Sequence, residues 1–98
     1  MQFVVMAWDY TDDQALERRM AHREAHLAAV KQLIADGKFI SGGAILDPES
    51  GERMIGSTLH LEFPDRESLE AHLHADPYIS GKVWERIEIH PVRLVPLT

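Results

Sequence analysis

The chain has 98 residues, 45% apolar and 27% charged, with a net charge of −6, which describes one small soluble domain over 1–98 with enough apolar surface for a real core. The acidic balance, with no Lys/Arg run longer than Arg18-Arg19, lacks the basic footprint of a phosphate-backbone binder, so no nucleic-acid partner is expected. The absence of cysteine removes disulfide frameworks, thiolate nucleophiles and Cys-ligated zinc, and fits a reducing compartment.

The first element is "QFVVMAWD", residues 2–9, a short β-branched apolar run that predicts a buried strand. Its apolar part is too short for a signal-peptide core or a membrane span, so a cytoplasmic protein with no membrane partner is expected. Thr11, Asp12 and Asp13 offer N-caps for a helix from about residue 13 to Asp36, stopped by Gly37. "KFISGGAILD" predicts a second strand, in which Gly42 and Gly43 suggest a bulge or a close backbone approach. "DPESGE" is turn chemistry leading into "RMIGSTLHLEF" as a hairpin. Pro64 and Asp65 open a short helix, "DRESLEAHLHA", and "DPYISGK" reads as a single turn or an irregular segment. The last strand is "VWERIEIHPVRLV", where Pro91 suits an edge or a bulge. The order β-α-β-β-α-β predicts an α+β, ferredoxin-like fold: a four-stranded antiparallel sheet with two helices on one face.

That fold leaves one sheet face bare. The first strand is apolar on both sides, and Met6, Trp8, Met54 and Trp84 are expected on the uncovered face. A patch of that kind on a monomer predicts a homodimer closed through the sheets.

The long helix carries an anomaly. At about 100° per residue, Leu16, Met20, Leu27, Val30 and Ile34 fall within roughly 80° of one another, and Arg23 lies inside the same arc. His26 sits on its edge, about 60° from Arg23 by the same arithmetic. A guanidinium in a core-facing stripe needs a partner, because a buried unpaired charge costs several kcal/mol. An imidazole one turn further on can serve as general acid or base if a carboxylate fixes its tautomer. Asp76 in "ADPYISG" is the candidate carboxylate, although Asp-Pro is also ordinary turn chemistry. The same loop offers Tyr78 as a hydrogen-bond donor. A metal is not expected: "HREAH" lacks the glutamate after the first histidine of a zinc helix, and His22 is placed facing outward. His72 and His74 stand two apart, on opposite sides of a helix.

Arg23-x-x-His26-Leu27, "SGGAILD", Gly56-Ser57 and Asp76-Pro77-Tyr78 followed by Gly81 form an ordered series that resembles YciI-like proteins, the YCII-related domain family. The resemblance spans nearly the whole chain. It implies a ferredoxin-like fold of the dimeric α/β-barrel type, with a His–Asp pair falling on His26 and Asp76. Arg23 and Ser57 match recurring positions. One characterised family activity removes chloride from a chlorinated hydroxyhydroquinone; the hairpin turn and the His-rich second helix lie outside the pattern. The expectation is an acid/base enzyme of lyase, dehydrochlorinase or hydrolase type. His26 and Asp76 are its catalytic residues, and Arg23, Ser57 and Tyr78 bind a small anionic or phenolic substrate. No cofactor and no metal are called for. The alternative is a non-catalytic ligand-binding or regulatory homodimer of the same fold.

Overall fold

The computed structural model describes residues 1–97. The elements run β1 (Gln2–Asp9), α1 (Ala15–Ala35), β2 (Phe39–Leu46), β3 (Met54–Glu62), α2 (Arg66–His74), α3 (Pro77–Ser80) and β4 (Trp84–Val92). The strands form one antiparallel sheet in the order β2-β3-β1-β4. This is the expected ferredoxin-like arrangement, with a single-turn helix inserted before β4.

β1 sets the two faces by simple alternation: Phe3, Val5, Ala7 and Asp9 are buried, while Val4, Met6 and Trp8 are half-buried. In register, Val5 lies between Leu59 and Ile89, and Ala7 between Ser57 and Ile87. On this covered face Phe3, Val5 and Leu61 meet Leu69 and Leu73 of α2, with Leu33, Tyr78 and Val83 completing the core. α2 forms because Leu69 and Leu73 share one face at i,i+4 and Asp65 caps its start, accepting from Ser68 N at 2.8 Å. That backbone bond holds the Asp65 carboxyl below its usual range.

α1 ends at Gly37, whose φ of +72° only glycine adopts readily; the next amide, Lys38 N, returns to Leu33 O at 2.9 Å. At its start Asp12 accepts from Gln14 N at 3.1 Å and from both terminal nitrogens of Arg18 at 2.7 and 2.8 Å. Pro91 is tolerated because β4 is an edge strand, pairing with β1 alone. Of the β2 glycines only Gly42 serves close approach: a Cβ there would lie 2.8 Å from Leu59 Cδ2 and 2.9 Å from Thr58 O, whereas one on Gly43 would meet open space. The register shifts fall on either side of the pair, at Phe39/Ser41 and Ile45/Leu46.

Two expectations about faces are corrected. The buried residues of α1 are Ala15, Arg19, His26 and Leu33, a face centred about 90° from the apolar stripe at 100° per residue. Leu16, Met20, Leu27 and Ile34 are 40%, 52%, 38% and 55% exposed, and Arg23 is exposed beside them. The helix is turned by its polar side chains, described below, rather than by its hydrocarbon. Nor are Met54 and Trp84 part of the open sheet face. Met54 lines a cavity beneath α1 together with Ser57 and Leu59, and Trp84 is 3% exposed inside the core. The open face therefore centres on Val4, Met6 and Trp8. Trp8 donates to Glu88 at 3.3 Å, and Arg86 stands 5.5 Å over its ring.

Candidate functional site

Two buried polar pairs lie where α1 crosses the end of the sheet. In the first, His26 Nδ1 is 2.9 and 3.0 Å from the two carboxylate oxygens of Asp76, and the two side chains are 8% and 5% exposed. Asp76 is also the N-cap of α3 and accepts from Tyr78 N at 2.8 Å. Turn chemistry and site chemistry are thus the same carboxylate. A carboxylate only accepts, so Nδ1 is assigned as a protonated nitrogen, and the neutral tautomer this favours carries its lone pair on Nε2. The imidazole is fixed on two further sides. Tyr78 stacks on it at 4.0 Å and 8° between planes, and Trp84 meets it edge-on at 5.4 Å. Burial pushes the Tyr78 hydroxyl above the ordinary phenol value.

The second pair was not anticipated from the sequence. Arg19, 4% exposed, donates through Nη1 to both oxygens of Asp9 at 2.9 and 3.0 Å and through Nη2 to Ser57 Oγ at 3.0 Å. Ser57 Oγ accepts a second bond from Trp84 Nε1 at 3.1 Å. Arg19 also stands 5.0 Å over the Tyr78 ring, which joins the two pairs into one cluster. Arg19 Nε is the one buried side-chain polar atom without a partner among the described residues. At Asp9 burial pushes the carboxyl up while the Arg19 guanidinium pulls it down, and the net direction is upward. The sequence held a signal for this pair: Asp9 is in phase with Phe3, Val5 and Ala7 on the buried side of β1, and a carboxylate there requires a cation.

Arg23, whose guanidinium needs a partner and is expected to face a carboxylate or an anionic ligand, does not pair with Asp76. It makes no hydrogen bond or ion pair among the described residues and lines the cavity with Arg19, His26, Ser57 and Tyr78. The cavity measures about 150 Å³, with Leu27, Val30, Phe39, Leu59 and the β2 glycines as its apolar wall. All five residues expected at a site, His26, Asp76, Arg23, Ser57 and Tyr78, belong to this one region. No group of three or more His, Asp or Glu among the described residues could hold a metal ion.

The α3 segment is held against α1 at close quarters. Arg18 Nε donates to Lys82 O at 2.9 Å, and Lys82 takes a left-handed φ of +54°. The His22 ring rests on Gly81, where a Cβ would come within 2.6 Å of it. His22, expected to face outward, is half-buried there, with Nδ1 2.9 Å from Arg18 O.

Topology and register define an α+β protein of ferredoxin-like fold. The YCII-related domain matches residues 1–93, and the chain belongs to that family. It is 32% identical over 99 residues to Protein YciI of Escherichia coli, covering 97% of this chain and 99% of the relative. In structure it is similar to 5-chloro-2-hydroxyhydroquinone dehydrochlorinase from Burkholderia phenoliruptrix AC1100, solved with 2,5-dihydroxybenzoquinone. The TM-score is 0.84 at 24% identity, over 95% of this chain and 94% of that one. A dimeric ferredoxin-like protein from Jannaschia sp. CCS1 shares the fold at TM-score 0.50 and 12% identity, over 95% and 98% of the two chains. No helix among the described residues is long and apolar enough to cross a membrane.

Proposed function

We propose that the protein is an acid/base enzyme in which His26, oriented by Asp76, moves a proton on a single-ring phenolic or anionic substrate. The observation that carries this reading is the buried His26–Asp76 pair, whose imidazole lines a cavity of about 150 Å³, a volume that accommodates one benzene-sized ring. The single-ring quinone bound by the structurally similar dehydrochlorinase is of that size class. With Nδ1–H committed to Asp76, Nε2 takes a proton from a substrate hydroxyl or carbon acid, and Asp76 stabilises the imidazolium that forms. The negative charge left on the substrate faces Arg23, whose guanidinium forms no ion pair within its own chain among the described residues, while the charge of Arg19 is already balanced by Asp9. The working unit is a homodimer closed through the Val4, Met6 and Trp8 face.

The test uses 2,5-dihydroxybenzoquinone as a binding probe and a panel of substituted hydroquinones as substrates. His26→Ala should lower turnover by about 10²–10⁴. Asp76→Asn combined with it should lose far less than the two single losses together, because the residues act as a unit. Strict additivity of the two, or turnover unchanged in His26→Ala, refutes the dyad. Probe binding that needs Arg23 with no turnover of any panel member leaves a binding protein in its place.

A further inference from the structure

The stripe on α1 lies on the outer surface of the protein, away from the bare sheet face. Leu16, Met20, Arg23, Leu27, Val30 and Ile34 follow one another at spacings of four, three, four, three and four. The six positions average 3.6 residues apart, the α-helical repeat, so they stay on one face of the straight helix along its whole length. The stripe runs about 27 Å along the helix at 1.5 Å per residue, and four of its apolar members are 38–55% exposed. A hollow on this surface is bordered by Met20, Arg23, Glu24, Leu27, Ala28 and Lys31. Those positions make two overlapping sockets of the i, i+3, i+4, i+7 kind, the shape that receives a side chain from a facing helix.

We propose that this face binds the α1 helix of a second copy, antiparallel, about a two-fold axis at Arg23–Glu24. The charges single out the partner. In that register Met20 of each copy enters the socket beside Leu27 and Ala28 of the other, Glu17 meets Lys31, and Arg23 meets Glu24. Each ion pair occurs twice by symmetry, as a self-complementary contact requires. Glu24 meets its own copy on the axis, where the Arg23 guanidiniums of both chains flank it and relieve the repulsion. Since Arg23 and Leu27 also line the cavity, the contact sits at the mouth of the candidate site. Together with a sheet-face dimer it builds a tetramer from two independent two-fold contacts.

The experiment is sedimentation equilibrium on the full chain. Wild type should have twice the mass of Met20→Glu, whose new carboxylate meets an apolar socket and weakens association about tenfold or more. Glu17→Lys and Lys31→Glu, both at exposed positions, should each weaken assembly, and the double exchange should restore it. In this cysteine-free chain, oxidised Glu24→Cys should link two copies through the axis, whereas Glu67→Cys on α2 should not. The sheet-face contact is separable, since Trp8→Glu should leave the link at Glu24→Cys intact. An unchanged mass in Met20→Glu, a charge exchange that fails to restore assembly, or no disulfide at the axis overturns the proposal.

Discussion

Replacing Arg19 by methionine removes the guanidinium and keeps most of its apolar stem. The carboxylate it leaves behind, Asp9, has a side chain only 5% exposed and no other cation within bonding distance among the described residues. Breaking one partner of such a pair costs about 3–5 kcal/mol. For a domain of about 100 residues each kcal/mol moves the melting temperature by roughly 4–8 °C, so the variant should melt at least about 12 °C lower at pH 7. The loss should be pH-dependent with a definite sign. The folded Asp9 carboxyl already titrates above its reference value of 3.8, because burial outweighs the pull of Arg19. Removing Arg19 raises it further. A carboxyl raised in the folded state stabilises below the unfolded value and loses that contribution as pH climbs through the folded value. Arg19→Met should therefore recover stability on acidification toward pH 4. Asp9→Leu combined with Arg19→Met, which removes both charges, should be more stable than Arg19→Met alone and should lose the pH dependence. Urea unfolding followed by circular dichroism between pH 4 and 8 reads all three chains. A penalty below about 1 kcal/mol, well under the cost of a broken buried pair, or one that is constant across this range, would mean that Asp9 and Arg19 are not a buried pair.

Asp12 is held at about 2 by its paired hydrogen bonds from Arg18. Its contribution to the α1 start is present above the reference 3.8 and fades as pH falls through about 2; a carboxyl NMR titration of Arg18→Met should move the midpoint back toward the ordinary aspartate range. Gly81→Ala should cost about 1–3 kcal/mol, an overpacking penalty, because its Cβ meets the His22 ring at 2.6 Å; stability equal to wild type would show that the ring yields freely. Trp8→Glu should disrupt the sheet-face dimer, detected as a halved mass in light scattering on a background of Met20→Glu, and a wild-type mass on that background would exclude the sheet face as an interface.

The strands were legible because their pattern is local. The alternation of β1, the turn chemistry of "DPESGE" and the glycine stop at Gly37 depend on neighbours in sequence and came out within a residue or two. The rotation of α1 was not legible from the helix alone. Its most apolar face points outward, and the face it buries carries Arg19, His22 and His26, so hydrophobic periodicity pointed to the wrong side. The correction was available in β1, where Asp9 shares the buried phase with Val5 and Ala7. Trp84 misled for a related reason: at the very start of β4, paired with Asp9 across a register shift, its face cannot be read from alternation along the strand. His26 and Asp76 could be named, but not the stack of Tyr78 and the edge of Trp84 that fix the ring, because those contacts join elements about 50 residues apart.

The orientation of α1 follows from what its polar residues would lose if it turned. Turning it by about 90° to bury the stripe would carry Arg19 away from Asp9 and His26 away from Asp76, leaving Asp9 without its cation and Asp76 with only the Tyr78 backbone amide. Each such loss is worth about 3–5 kcal/mol where the surviving group stays charged. Burying the exposed half of four apolar side chains would return roughly 1 kcal/mol apiece, since complete burial is worth about 1.5–3. The two polar pairs therefore outweigh the stripe, and the helix settles with its polar face inward. Arg18 and His22 add to the same choice, fastening the turn from Asp76 to Lys82 on that side of the helix. The apolar surface left outside is then a consequence of building the site on this helix, and a second copy of α1 is what can bury it without disturbing either pair.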